Sequence, residues 1–86
     1  MRVIVPPALR SYTSEKSEVE GQGNTLADVL VDLDQRYPGM RFRIIDEQDG
    51  VREHIKIFIN QTQTKEIAVQ LKPDDKVLII CALSGG

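Results

Sequence analysis

Hydrophobic residues are spaced along this chain in three different ways, and each spacing predicts a different element. Val3-Ile4-Val5 is a short unbroken apolar run, the pattern of a strand covered on both faces. Pro6-Pro7 ends its ladder, because neither proline has an N–H to donate. Ser14 to Glu20 is polar, with Val19 as its only large apolar residue. As a strand it belongs at a sheet edge, where its charges discourage stray pairing. Gly21-Gln22-Gly23-Asn24 reads as a loop.

The second spacing is helical. Leu26, Val29, Leu30, Leu33 and Tyr37 form one apolar stripe, with Asp32, Gln35 and Arg36 off it. Thr25 suits the N-cap, and Asp28, three residues on, makes a carboxylate variant of the capping box. Asp28 also complements the positive end of the helix dipole. Pro38-Gly39 stops the helix. The spacing predicts a helix over Leu26 to Tyr37, roughly 18 Å long.

The third spacing is alternation. Ile55, Ile57 and Ile59 alternate with Lys56 and Phe58 and predict a strand. Met40 to Ile45 fits two templates: Met40, Phe42 and Ile44 alternate, while Met40 and Ile44 also share a helical face. Asp46 to Gly50 reads as a turn, Asn60 to Thr64 as a polar connection, and Ile67, Val69 and Leu71 as a short irregular or strand-like segment. Lys72-Pro73-Asp74-Asp75 has turn composition. Val77 to Ala82 is the longest apolar run and predicts a central strand. The order is strand, strand, helix, strand, short segment, strand. Two apolar strands want the middle of one sheet, and one amphipathic helix must cover a face of it. The expected fold is α+β, a ubiquitin-like β-grasp: a mixed sheet with one main helix on one face. Residues 1–82 would form the domain and 83–86 a flexible tail ending in Gly-Gly.

Composition narrows the functional classes. At 86 residues the chain is one domain with a modest core. A net charge of −2 with the signs interspersed gives no basic stripe for nucleic acid. Nothing approaches a membrane-spanning length, and the first residues do not make a secretory signal. A single cysteine, Cys81, allows no internal disulfide. The expected setting is cytoplasmic, so the glycosylation-like triplet Asn60-Gln61-Thr62 carries no weight. The molecule is expected to be monomeric when free.

Candidate catalytic chemistry within the chain is sparse. His54 is the only histidine and lacks cysteines or a second histidine with which to bind a metal. Cys81 lies in the most apolar strand, where a free cysteine acts as a small hydrophobe. Asp74-Asp75 reads as a solvated turn. Gly21-Gln22-Gly23 lacks the lysine and the length of a phosphate loop. No catalytic residue and no metal ligand is expected, and no cofactor is expected to be bound.

The terminal Gly85-Gly86 is different. At about 7% glycine, such a pair falls at roughly 0.5% of chain ends by chance. Glycine has no Cβ, so a Gly-Gly end fits a narrow channel and leaves its carboxylate unobstructed.

With these glycines, the chain resembles the MoaD/ThiS sulfur carriers, relatives of ubiquitin. The resemblance rests on Thr25-Leu26-Ala27-Asp28-Val29-Leu30, Arg36-Tyr37-Pro38, Ile57-Phe58-Ile59-Asn60, Lys72-Pro73-Asp74-Asp75-Lys76-Val77 and Ala82-Leu83-Ser84-Gly85-Gly86. It implies that an E1-like enzyme uses ATP to adenylate the carboxylate of Gly86. A sulfur donor then displaces AMP to leave a thiocarboxylate, and a sulfur-accepting synthase consumes it. ATP belongs to the partner, and this chain is a protein co-substrate rather than an enzyme. Gly85, Ser84 and Leu83 would thread the tail into the partner. A metalloprotease that trims a longer precursor is a further possible partner.

Val5 to Arg10, followed by Tyr12-Thr13, resembles the start of the carrier used in the thiocarboxylate route to cysteine. Molybdopterin-type carriers and carriers for other thiolated metabolites share the helix and tail. Ser84 stands where the family often has alanine; archaeal protein modifiers of this superfamily also tolerate serine there. That keeps a second reading open, a modifier joined to lysines through Gly86, and a third is a non-covalent interaction module. Phe58, Ile80 and Leu83 are candidates for an apolar docking patch, although Phe58 and Ile80 also suit a core.

Overall fold

The computed structural model describes residues 1–82. Five strands form one sheet: β1 (Arg2–Ile4), β2 (Glu18–Glu20), β3 (Ile55–Ile59), β4 (Thr62–Thr64) and β5 (Lys76–Cys81). The sheet order is β2-β1-β5-β3-β4. β5 lies at the centre, parallel to β1 and antiparallel to β3. The two apolar-run strands therefore occupy the middle, as their lack of polar positions requires. β2 is an edge strand, paired antiparallel to β1 with Val3 opposite Val19. The arrangement is a ubiquitin-like β-grasp, with a mixed five-stranded sheet.

The main helix, α1 (Leu26–Arg36), begins at Thr25, whose Oγ1 accepts the Asp28 N–H at 3.1 Å. Two further N-terminal donors, left without partners inside the helix, are met from outside it. Leu26 N–H donates to Val69 O at 3.0 Å and Ala27 N–H to Ile67 O at 2.7 Å. The irregular segment around Ile67 to Leu71 thus closes the start of the helix. The helix ends one residue earlier than the apolar spacing predicts. Tyr37 is the C-cap with ψ 78°, because the proline after it disfavours helical backbone.

Leu26, Val29, Leu30 and Leu33 are buried, and they join Val3, Val5, Ile57, Val77 and Ile79 in a single core. Removing one such side chain from water is worth about 2 kcal/mol.

Three segments needed the structure to be assigned. Met40 to Ile44 is a short helix, α2. Asp34 Oδ1 accepts the N–H groups of Gly39 and Arg41, both at 3.1 Å, which satisfies donors at its start. Met40 and Ile44 are fully buried and Phe42 is 56% exposed, so the helical template wins. The polar connection expected over Asn60 to Thr64 is instead a tight turn followed by a strand. Asn60 and Gln61 have φ of 49° and 78°, the left-handed pair that closes a two-residue hairpin, and Thr62–Thr64 is β4. Finally, a 3₁₀ helix spans Pro7–Thr13 and buries Leu9 and Thr13. Its Tyr12 hydroxyl accepts from Arg43 Nε at 2.8 Å, which ties it to α2.

Candidate functional site

Strand alternation divides β5 between two faces. Val77 and Ile79 are buried, whereas Leu78 is half-buried and Ile80 is 38% exposed. On β3, Ile55 and Ile57 point inward, while Lys56 and Phe58 face out. The register places Ile4 opposite Leu78 and Leu78 opposite Phe58. These three residues make an apolar row across three strands, on the face away from α1. Ile80, two residues beyond Leu78 and opposite Lys56, extends that row towards the end of β5. Arg2, Lys56 and Lys76 occupy outward positions around it. Phe58 and Ile80, which sequence left balanced between core and surface, both stand on this outer face. Ile4 and Leu78 share it and were not singled out from sequence. Their signal was the parity of their positions against Val3 and Val77.

Two grooves open on this face. One, of about 460 Å³, is lined by Phe58, Asn60, Gln61, Lys76 and Leu78. The other, of about 230 Å³, includes Pro6, Pro7, Arg10, Ile80 and Cys81 and lies where β5 ends. Arg10 is held there by donating its Nε to Val5 O at 3.1 Å. Cys81 is half-buried and packs against the core, which fits the packing role expected of it.

The root of the tail is fixed on its other flank. Cys81 pairs with Ile55, and Ala82 N–H donates to His54 O at 2.7 Å. Thus β5 delivers the chain to one end of the sheet through a defined backbone bond. Leu83, Ser84, Gly85 and Gly86 lie outside the described residues.

Electrostatics near this end come from exposed groups. His54 is exposed, and Arg52 stacks its guanidinium 4.5 Å from the Phe42 ring centroid. Among the described residues, three carboxyls have their pKa lowered by folding: Glu18 on β2, through its hydrogen bonds from Arg2, and two in turns. The backbone N–H groups of Gly50 and Gln48 hold Asp46 below the usual carboxylate range. The Lys72 N–H and then the Asn60 amide do the same for Asp75. Among the described residues, no group of three or more His, Cys, Asp or Glu side chains is placed to hold a metal ion. Among the described residues, no helix is long and apolar enough to cross a membrane.

Fold and outer face together define a ubiquitin-like protein: a small β-grasp whose central last strand carries a Gly-Gly sequence beyond it. The chain belongs to the ThiS family, whose model matches residues 3–86. It is 29% identical to the sulfur carrier protein CysO of Mycobacterium tuberculosis, over 98% of this chain and 96% of that protein. In the crystal structure of the Amycolatopsis orientalis BexX/CysO complex, a chain 25% identical superposes with a TM-score of 0.90, covering 99% of this chain and 98% of that one. The small archaeal modifier protein 1 of Methanosarcina acetivorans is 26% identical with a TM-score of 0.81, covering 99% of this chain and 94% of that one.

Proposed function

We propose that this chain is a sulfur carrier that delivers sulfur as a thiocarboxylate on Gly86. The observation that carries this reading is the family match, which runs unbroken through the folded domain and on to Gly86. The similarity to CysO along nearly the full length of both chains supports the branch that serves cysteine formation.

The chemistry assigns the work to partners. A carboxylate is a poor electrophile, so an E1-like enzyme must first join the Gly86 carboxylate to the α-phosphate of ATP, with release of pyrophosphate. A sulfur donor then attacks the acyl carbon and AMP leaves. A synthase takes the sulfur from the resulting thiocarboxylate. This chain supplies the reacting carbon and the surface on which the enzymes dock, and it holds no cofactor of its own. Gly85, Ser84 and Leu83 lead the tail into the partner's channel. The outer row of Ile4, Leu78, Phe58 and Ile80 is the docking surface, since exposed apolar patches ringed by polar groups mark such sites.

The test is intact-mass analysis after incubation with the E1-like enzyme, ATP and a sulfide source. A carrier gains the mass difference of one oxygen replaced by sulfur, located on Gly86. Absence of both acyl-adenylate and thiocarboxylate overturns the proposal. Similarity to an archaeal modifier favours a second use of the same activated end, attachment to lysine amines of other proteins. Isopeptide-linked adducts through Gly86 in a cell extract would establish that use.

A further inference from the structure

A cleft separate from the apolar row sits beside the root of the tail. It measures about 230 Å³ and is lined by Phe42, Arg43, Glu47, Arg52 and His54. His54 is the residue whose carbonyl holds the Ala82 N–H at 2.7 Å, so one lining residue of the cleft is bonded to the last described residue of the chain. Phe42 is more than half exposed, although it lies on a short helix whose neighbours Met40 and Ile44 are fully buried. Its ring is therefore presented to solvent in the cleft.

The ring is held rather than loose. Arg52 Nε donates to Phe42 O at 2.6 Å, and its guanidinium lies over the ring. Arg43, on the same helix, is held through its Nε by the Tyr12 hydroxyl. In both arginines the anchoring bond uses Nε. The terminal amino groups, the fork that grips a carboxylate with two parallel bonds, have no hydrogen-bond acceptor among the described residues. Glu47 is the single carboxylate in the lining against two guanidinium groups, while the neighbouring Asp46 carboxyl also feels the charge of Arg52. An anchored aromatic ring with oriented arginines is the composition of an interface hot spot.

We propose that this cleft is a second docking point. It would take a carboxylate-bearing side chain, next to an apolar one, from the enzyme that adenylates Gly86. The inference rests on the sulfur-carrier reading, because that enzyme must approach the tail root to reach Gly86. The carboxylate pairs with the open fork of Arg52, the apolar neighbour covers Phe42, and together they orient the tail.

The experiment measures thiocarboxylate formation by the purified adenylating enzyme with ATP and sulfide, as a function of carrier concentration, for the full chain and its variants. Phe42→Ala and Arg52→Ala should each raise KM for the carrier about thirtyfold, the scale of a hot-spot truncation, with kcat little changed. Arg52→Ala should also flatten the rise of KM with salt, whereas Gln35→Ala on α1 should match the wild type. Phe42 is more than half exposed, so its variant keeps the test open should Arg52→Ala misfold. Thermal melts must show each variant folded. Unchanged KM in folded Phe42→Ala and Arg52→Ala variants, with unchanged salt dependence in Arg52→Ala and active wild type, overturns the docking point alone. An inactive wild type overturns the carrier reading and this inference with it. If deletion of residues 83–86 shifts the NMR signals of Phe42 and Arg52 in the absence of enzyme, the chain's own tail is the occupant and the inference is wrong.

Discussion

Asn60 and Asp75 lock the hairpin turn to the start of the central strand. The Asn60 amide donates to Asp75 Oδ1 at 2.7 Å, and its own Oδ1 accepts the Lys76 N–H at 2.9 Å. Its backbone N–H also donates to Lys76 O at 3.0 Å. One side chain therefore sets where β5 enters the sheet beside β3. Because Asn60 is in the left-handed region, it combines this bridging with a conformation that most residues adopt at a cost. Replacing Asn60 by Ala removes two side-chain hydrogen bonds and adds backbone strain. We expect a loss of about 2 kcal/mol, read as a lower urea midpoint with unchanged m-value.

The neighbouring pair Ile79 and Ile80 separates fold from docking. Ile79 is fully buried and Ile80 faces out. Ile79→Ala should cost about 2–5 kcal/mol of stability. Ile80→Asp should leave the melting temperature within a few degrees yet reduce thiocarboxylate formation at low carrier concentration. Equal loss of stability in both would show that the outer row is structural.

Acid should weaken the molecule through its turns. Asp46 and Asp75 have folded pKa values below their unfolded ones, because backbone N–H groups bond to the ionised forms. Their contribution is present above about pH 4, the ordinary carboxylate value, and fades as pH falls through the lower folded values. Urea midpoints should fall below about pH 4 in the wild type. Asp75→Asn should lower the midpoint at neutral pH and reduce the drop in acid.

Gly21 fills a place where a side chain does not fit. A Cβ there would stand 2.9 Å from Val29 Cγ1 and 3.0 Å from Val3 Cγ2, and both valines are fully buried. Gly21→Ala must push α1 away from β1. The expected loss is about 1–3 kcal/mol, visible in thermal melts. A neutral result would mean the helix has slack at this contact.

Much of this architecture is legible in the sequence wherever periodicity and burial agree. Thr25 to Arg36 shows its cap and its stripe. Val3 to Val5 and Val77 to Cys81 are too apolar to lie anywhere but the middle of the sheet. Thr62 to Thr64 escapes such reading because an edge strand needs no large apolar residue. Its signal is the two-residue Asn60-Gln61 gap between β-branched residues. The 3₁₀ helix over Pro7–Thr13 is hidden because only Leu9 and Thr13 turn inward, too few to set a period. For the site, the sequence points to the glycines and to Phe58 and Ile80. Parity hints that Ile4 and Leu78 face outward, but their alignment into one row depends on register, and the meeting of Phe42 with Arg52 depends on α2.

The place of β5 between β1 and β3 also bears on how the protein is made. The strand that completes the sheet is the last of the five to leave the ribosome, and its parallel pairing with β1 joins residues more than seventy positions apart. Such distant pairings form late, after their loop-closure cost has been met. A nascent chain or a fragment that stops before Lys76 has two strand edges with nothing between them and an uncovered core, the state that aggregates or is degraded. Folding thus proofreads synthesis: a chain can fold fully only once the strand leading directly to the glycines has been made.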